Sequence, residues 1–349
     1  MAMTEELRWL YKPVPAPDQI ARDAAIARQK QLIKPEGALG RLESIAVDFA
    51  GFQGKEQPQL DRLCVRVFGA DHGIAAQGTS RFPQAVTSVM LKLFCEGGAA
   101  INVLSREQNA DFAAINLGCV VPTEHPDLID EVVASSTADF SQGNTAMTRD
   151  QLALALNAGR RQSTDTDCFI GGDMGIGNTT SAAAIFAALF DLEVSKITGR
   201  GTGIGDVVLT RKMALIESAL EMHRERLGSP LAILQTFGGF EIAALTGAFI
   251  ASVQRQVPVL VDGFMATAAA AIAGTLNPSV KPWLLYAHLS DEAGHKLALE
   301  CMEVKPMLSF NMRLGEGTGA VLAISIIRQA INLHNKMLTF SEAGLPIAD

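Results

Sequence analysis

Residues 168–181 read Cys-Phe-Ile-Gly-Gly-Asp-Met-Gly-Ile-Gly-Asn-Thr-Thr-Ser, and an alanine-rich stretch follows at once. The apolar run at its start has the length of a buried strand, and the alanines have the propensity of a helix. Strand, glycine loop and helix in that order predict one step of a parallel sheet. The same cadence recurs at Cys64–Gly69, Phe112–Gly118, Val257–Gly263 and Trp283–His288, each a short apolar run closed by glycine or a polar loop. Repetition of this kind predicts an α/β fold, a doubly wound and mostly parallel sheet with crossover helices. Ligands of such sheets bind beyond the carboxyl ends of the strands. Ala70-Asp-His-Gly73, the 171–180 loop and Asp262-Gly263 all fall at those ends.

The flanks of the chain read differently. Residues 18–33 have helical spacing that stops at Lys34-Pro35, because a proline biases the residue before it away from helix. A second amphipathic helix runs to about Phe52, and a polar spacer, Gly54 to Gln59, follows. Residues 1–58 are therefore expected to form a small helical subdomain, completed by about 330–349, with 59–329 as the large catalytic domain. The polar tail Met337–Gly344 is expected to pack near the N-terminal helices.

Composition narrows the function. The chain has 349 residues, 48% hydrophobic and 19% charged, with a formal charge of −8. No basic run or Lys/Arg stripe is present, so nucleic acid is not an expected partner. The five cysteines are scattered, with no C-x-x-C pair, which suits a reducing compartment. Met1 to Pro15 carries charges and prolines instead of a signal sequence's apolar core. The most apolar run, Pro258 to Gly274, is interrupted by Asp262 and too short to span a bilayer. A soluble cytoplasmic protein without membrane attachment is the expectation.

A second acidic glycine loop, Arg313-Leu-Gly-Glu-Gly-Thr-Gly-Ala320, places Glu316 just ahead of an apolar helix. Glycines allow close backbone approach to a ligand, and a helix start offers free N–H donors to an anion. Loop 171–180 carries Asp173 in the same position. It is not a Walker element, and a tight strand-to-helix turn with Thr179 or Thr180 as N-cap would read the same way. A third loop, Gly199–Gly205, holds Arg200, with Arg211-Lys212 just after it, and cations beside backbone amides suit a phosphate. A solvated surface loop is its alternative. His288, Glu292 and His295 would share one face if helical, which admits a metal site, although a hydrogen-bonded structural cluster fits better. Asp71-His72 reads likewise. The adjacent acidic pair of diphosphate-using phosphoribosyltransferases, which hold Mg²⁺, is missing.

Ten segments from Lys34–Glu43 to Thr339–Gly344, including Gly78-Thr-Ser80, Gly97–Asn102, Gly199–Gly203, Gly238–Ala244, His288–His295 and the two acidic loops, lie in an order that closely resembles the nicotinate-nucleotide–dimethylbenzimidazole phosphoribosyltransferase family. The resemblance implies a Rossmann-like large domain, a small helical domain from both chain ends, and a homodimer. It implies transfer of phosphoribose from nicotinate mononucleotide to 5,6-dimethylbenzimidazole, with inversion to α-ribazole 5′-phosphate, in assembly of the cobalamin lower ligand. No cofactor or metal is expected. Glu316 matches the family's catalytic glutamate and is assigned as general base. Asp173 stands where the family usually has glutamate, so it is expected to keep an electrostatic or positioning role. Ser80, Phe82, Gln84 and Leu314 are expected around the aromatic acceptor, with Gly315 beside them. Gly175, Gly177, Asn178, Thr179, Gly201, Gly203 and Lys212 are expected to hold phosphate and ribose. The rival readings are the same transfer to another benzimidazole, a purine or a phenol, a nucleotide-binding protein without turnover, and a metallohydrolase using His288, Glu292 and His295.

Overall fold

The computed structural model describes residues 5–346. Its centre is a sheet of six parallel strands: β1 (Leu63–Ala70), β2 (Asp111–Gly118), β3 (Leu128–Asp130), β4 (Cys168–Met174), β5 (Val259–Val261) and β6 (Leu284–Tyr286). Their order across the sheet is β3-β2-β1-β4-β5-β6. The chain thus builds outward from β1 to one edge, then returns to pair β4 on the other side of β1. Every residue of β1 is buried, as a near-continuous apolar strand covered on both faces must be.

Alanine-rich helices Phe240–Gln254 and Phe264–Leu276 pack on the sheet and are themselves almost wholly buried, and helix Asn178–Phe190 packs on the second of them. Small residues allow the close packing. A Cβ on Gly159 would stand 1.8 Å from the Ala244 carbonyl oxygen, so helix Arg149–Arg161 meets helix Phe240–Gln254 backbone to backbone.

Around this layer the two flanks meet. Helix Gln19–Gln31, capped by the Asp18 side chain, packs on helix Arg41–Gln53, which also packs on the long helix Thr318–Lys336. Beyond that long helix the chain pairs with residues 31–33, through Ile33 N–H to Leu338 C=O (3.0 Å) and Phe340 N–H to Gln31 C=O (2.8 Å). The tail therefore lies where its composition placed it. Residues 1–4 and 347–349 of the expected small subdomain lie outside the described residues.

The structure departs from the sequence reading at the edges. Strand Val257–Gly263 shortens to three residues, because Gly263 already precedes helix Phe264–Leu276. The short edge strand β3 was not expected. Nor was a separate parallel ribbon of β7 (His288–Leu289) and β8 (Leu308–Ser309). The segment Ala85–Glu107 has the length and hydropathy of a membrane span. It is nonetheless two helices, broken after Glu96 at a left-handed Gly97, and the first of them packs on β1 and β2.

Candidate active site

Loops at the carboxyl ends of β4, β5 and β6 enclose a cavity of about 260 Å³. Phe82, Met174, Phe264, Met265 and Leu314 give it apolar walls, and Asp173, Asn178, Thr179, Ser290 and Glu292 supply polar groups. Phe82 and Leu314 are each about half exposed, which leaves an apolar mouth. Of the residues expected from sequence, Phe82, Asp173, Gly175, Asn178, Thr179, Gly201, Leu314 and Gly315 line the cavity.

The others sit around it. Gly177 is the left-handed residue (φ 103°) that starts helix Asn178–Phe190 beyond β4, and the Asn178 and Thr180 amides donate to the Gly175 and Gly177 carbonyls (3.2 and 3.0 Å). Lys212 is fully buried beneath the wall, its Nζ donating to Thr179 Oγ1 (2.9 Å) and to the Gly199 carbonyl (3.1 Å). Burial lowers its pKa to about 8, with Glu292 pulling the other way. The neighbouring cations do not join it. Arg200 pairs with Asp206 and the Ile204 carbonyl, and Arg211 donates to the Gly78 carbonyl. Gly203 faces open space. Ser80 and Gln84 brace the walls: Ser80 Oγ lies 3.2 Å from Thr202 Oγ1, and Gln84 Nε2 donates to the His72 carbonyl.

The two acidic loops touch. The amide of Glu316 donates to the Asp173 carbonyl (3.2 Å), and a Cβ on Gly172 would stand 2.2 Å from the Glu316 carbonyl oxygen. Asp173 is buried, with Oδ2 accepting from Asn178 Nδ2 (2.9 Å) and Oδ1 without a partner. Burial raises its pKa well above the ordinary value, and Asp262, Glu241 and Glu316 add to the rise. Glu316 stands behind the cavity wall rather than on it, in a turn where Gly315, Glu316 and Gly317 all have positive φ (85°, 63° and 89°). Asp262 secures this turn by accepting from the amides of Gly317 and Ala320. Burial raises the Glu316 pKa, the Ile101 amide opposes the rise, and Asp262 reinforces it. Glu316 Oε2 has no partner.

His288, Glu292 and His295 do not form a helical face. His288 lies in β7, Glu292 in a turn, and His295 starts helix His295–Cys301. Each side chain has its own task. His288 faces Asp262, Glu292 accepts from the Gly201 amide, and His295 bonds Thr267 Oγ1 and the Ser290 amide. Burial pushes the His295 pKa down to about 3. Among the described residues no three His, Cys, Asp or Glu side chains are grouped to hold a metal ion.

Against known proteins, a phosphoribosyltransferase family model matches residues 14–345. The nicotinate-nucleotide–dimethylbenzimidazole phosphoribosyltransferase of Pseudomonas syringae pv. syringae is 45% identical, covering 97% of each chain. That of Xanthomonas oryzae pv. oryzae is 47% identical over 97% of this chain and 98% of its own. The crystal structure of CobT from Thermus thermophilus superposes with a TM-score of 0.89 at 39% identity, covering 94% of this chain and 99% of that one. The chain belongs to the nicotinate-nucleotide–dimethylbenzimidazole phosphoribosyltransferase family.

Several wall residues of this phosphoribosyltransferase were not assigned to the site from the sequence. Met174, Phe264 and Met265 carry the pattern of ordinary core side chains, and only the loop geometry turns them to the cavity. Arg313, whose guanidinium donates to the Gly201 carbonyl (2.7 Å), links the last loop to the third. Asp262, Glu241 and His72 lay in recognisable motifs, but their mutual contacts are long-range.

Proposed function

We propose that this phosphoribosyltransferase moves the phosphoribosyl group of nicotinate mononucleotide onto 5,6-dimethylbenzimidazole, as the names of its relatives state for those proteins, and so serves cobalamin lower-ligand assembly. The observation that carries the reading is the pairing of an apolar slot with a buried cation beside a helix start. The slot between Phe82, Met174, Met265 and Leu314 suits a flat aromatic acceptor. Lys212 and Thr179, at the start of helix Asn178–Phe190, suit the nucleotide phosphate.

The chemistry follows from charge. The donor's pyridinium is already cationic, so nicotinate leaves with a neutral ring nitrogen and needs no general acid. Positive charge builds on the ribose anomeric carbon in an oxocarbenium-like transition state, which acidic groups in a dry cavity stabilise. Glu292 lines the cavity and is placed for that role. Asp173, whose burial disfavours the charged form, acts instead as a positioning group that holds Asn178 by accepting from its side-chain amide. The attacking benzimidazole must lose the N–H on its other ring nitrogen. Glu316, with a raised pKa and a free oxygen, is the base, and the acceptor must therefore present that N–H past Gly315. None of these steps calls on a metal.

The proposal extends to organisation. The described parts of residues 1–58 and about 330–349 form the small unit and 59–329 the catalytic unit, a division supported by the pairing of residues 338–340 with 31–33. A homodimer is supported by exposed Val89, Val103, Val120 and Val121, and a cytoplasmic location by five free cysteines.

Nicotinate release from nicotinate mononucleotide tests the reading, measured with and without dimethylbenzimidazole in wild type and Glu316→Gln. Release that requires the acceptor and collapses in the variant is the expected result. Release without any acceptor makes the protein a hydrolase, and no release makes it a binding protein.

A further inference from the structure

The dipeptide Asp71-His72, directly after β1, is fully buried and takes no part in the chemistry above. Its hydrogen bonds reach both substrate regions. The His72 ring joins two helix starts: Nε2 lies 2.6 Å from Glu241 Oε1, in the first turn of helix Phe240–Gln254, and Nδ1 lies 2.9 Å from Ser181 Oγ, in the first turn of helix Asn178–Phe190. The phosphate-side loop rests on the same ring. A Cβ on Gly175 would stand 3.2 Å from His72 Nε2, and one on Gly177 would stand 3.0 Å from His72 Cβ. The His72 carbonyl accepts from Gln84 Nε2 (3.0 Å), which ends the segment carrying Ser80 and Phe82.

Asp71 repeats the connection by a second route. Its Oδ1 accepts from Thr87 Oγ1 (2.6 Å), and that hydroxyl accepts in turn from the Ile176 amide (3.2 Å). Thr87 belongs to helix Ala85–Glu96, immediately after the acceptor segment, whereas Ile176 lies in the phosphate-side loop. The acceptor segment 80–87 is therefore tied to loop 175–178 by the Thr87–Ile176 bond, which Asp71 holds, and by the His72 ring packed under Gly175 and Gly177; of these residues Gly175 and Ile176 line the cavity and Asp71, His72 and Thr87 lie behind it. A packed apolar joint would fill this space without leaving an unpartnered oxygen, as Glu241 Oε2 is left here. Directional bonds instead fix one loop's position relative to the other.

We propose that Asp71-His72 is a positioning joint that couples the nucleotide-phosphate site to the acceptor site, so that filling one tightens the other. This rests on the reading of the cavity given above. Coupling of this kind is a free energy shared by two ligands, and it is reciprocal.

Ribose 5-phosphate is the probe for the phosphate side, since it lacks the nicotinate leaving group, and dimethylbenzimidazole is the second ligand. Calorimetric titration of the unreacting pair is expected to show about fivefold or greater tightening of ribose 5-phosphate by saturating dimethylbenzimidazole in wild type. His72→Gln is expected to bring that factor close to one. Thr87→Val, which keeps the shape and removes the hydroxyl, is expected to reduce it in part and remains informative if His72→Gln does not fold. A purely structural role would weaken both ligands and leave their ratio unchanged. A ratio unchanged in folded variants, or a factor of one in wild type, overturns the joint. Wild-type nicotinate release is assayed separately, so failure of the transferase reading is distinguished from failure of the coupling.

Discussion

Loops 171–180 and 313–320 are near twins in sequence, each offering one carboxylate among glycines ahead of a helix, yet the fold uses them differently. Asp173 sits on the cavity wall at the end of β4, bonded to Asn178 and surrounded by Asp262, Glu241 and Glu316. Negative neighbours and burial both favour its protonated form. Glu316 sits one residue behind the wall, on left-handed backbone, with the Ile101 amide beside it to favour charge. Burial thus raises both carboxyls, and the acidic neighbours of Asp173 raise it further. The lesson is that a motif supplies the carboxyl group, while its neighbours decide whether it bears a charge.

The contrast breaks or sharpens under substitution. Glu316→Gln is expected to lower kcat by roughly 1,000-fold with little change in nucleotide KM, the signature of a lost general base. If kcat survives, Glu316 is not the base. In wild type the acid limb of the kcat–pH profile should lie above that of an ordinary glutamate, because burial raises this carboxyl. Activity is then lost as pH falls through that limb.

Lys212→Met should raise nucleotide KM by roughly 10- to 100-fold and spare kcat, since a charge-assisted phosphate contact is worth about 1.5–3 kcal/mol. In wild type the ammonium loses its proton as pH rises through about 8, so nucleotide KM should climb across that range. A flat KM between pH 7 and 9 would remove Lys212 from the phosphate site.

Gly172→Ala drives a methyl into the Glu316 carbonyl and should cost about 1–3 kcal/mol, read from a urea-unfolding midpoint. An unshifted midpoint would mean that the two loops are not held together. Asp173→Asn has the smallest expected effect, with kcat kept within roughly tenfold, because an amide replaces a carboxyl whose burial disfavours the charged form. A loss as large as that of Glu316→Gln would show that Asp173 works as an anion and that the two loops are alike after all.

Much of this was legible before any coordinates. The glycine after each apolar run marked the carboxyl ends of β1, β2 and β4, and Pro35 placed the end of the first helix within two residues of Gln31. Strand β3 escaped notice because three residues carry no periodicity, and β7–β8 because a two-residue pairing is decided by what packs above it. The cations after the third loop looked equivalent. Only the turn at Gly205 and the register of helix Asp206–Met222 bury Lys212 while leaving Arg211 at the surface. The joint at His72 was invisible for the same reason, since Glu241 and Ser181 reach it from distant parts of the chain. The helical face drawn through His288, Glu292 and His295 failed because a strand and a turn occupy its first half.

The turn at residues 315–317 has a consequence for directed evolution. A non-glycine residue held at positive φ carries about 1–3 kcal/mol of strain, and Glu316 adds an unpartnered buried oxygen. Glu316→Gly should therefore raise the melting temperature while abolishing turnover. Selection for heat resistance alone would drift toward that substitution, so thermostable variants of this enzyme should be screened for nicotinate release at every round.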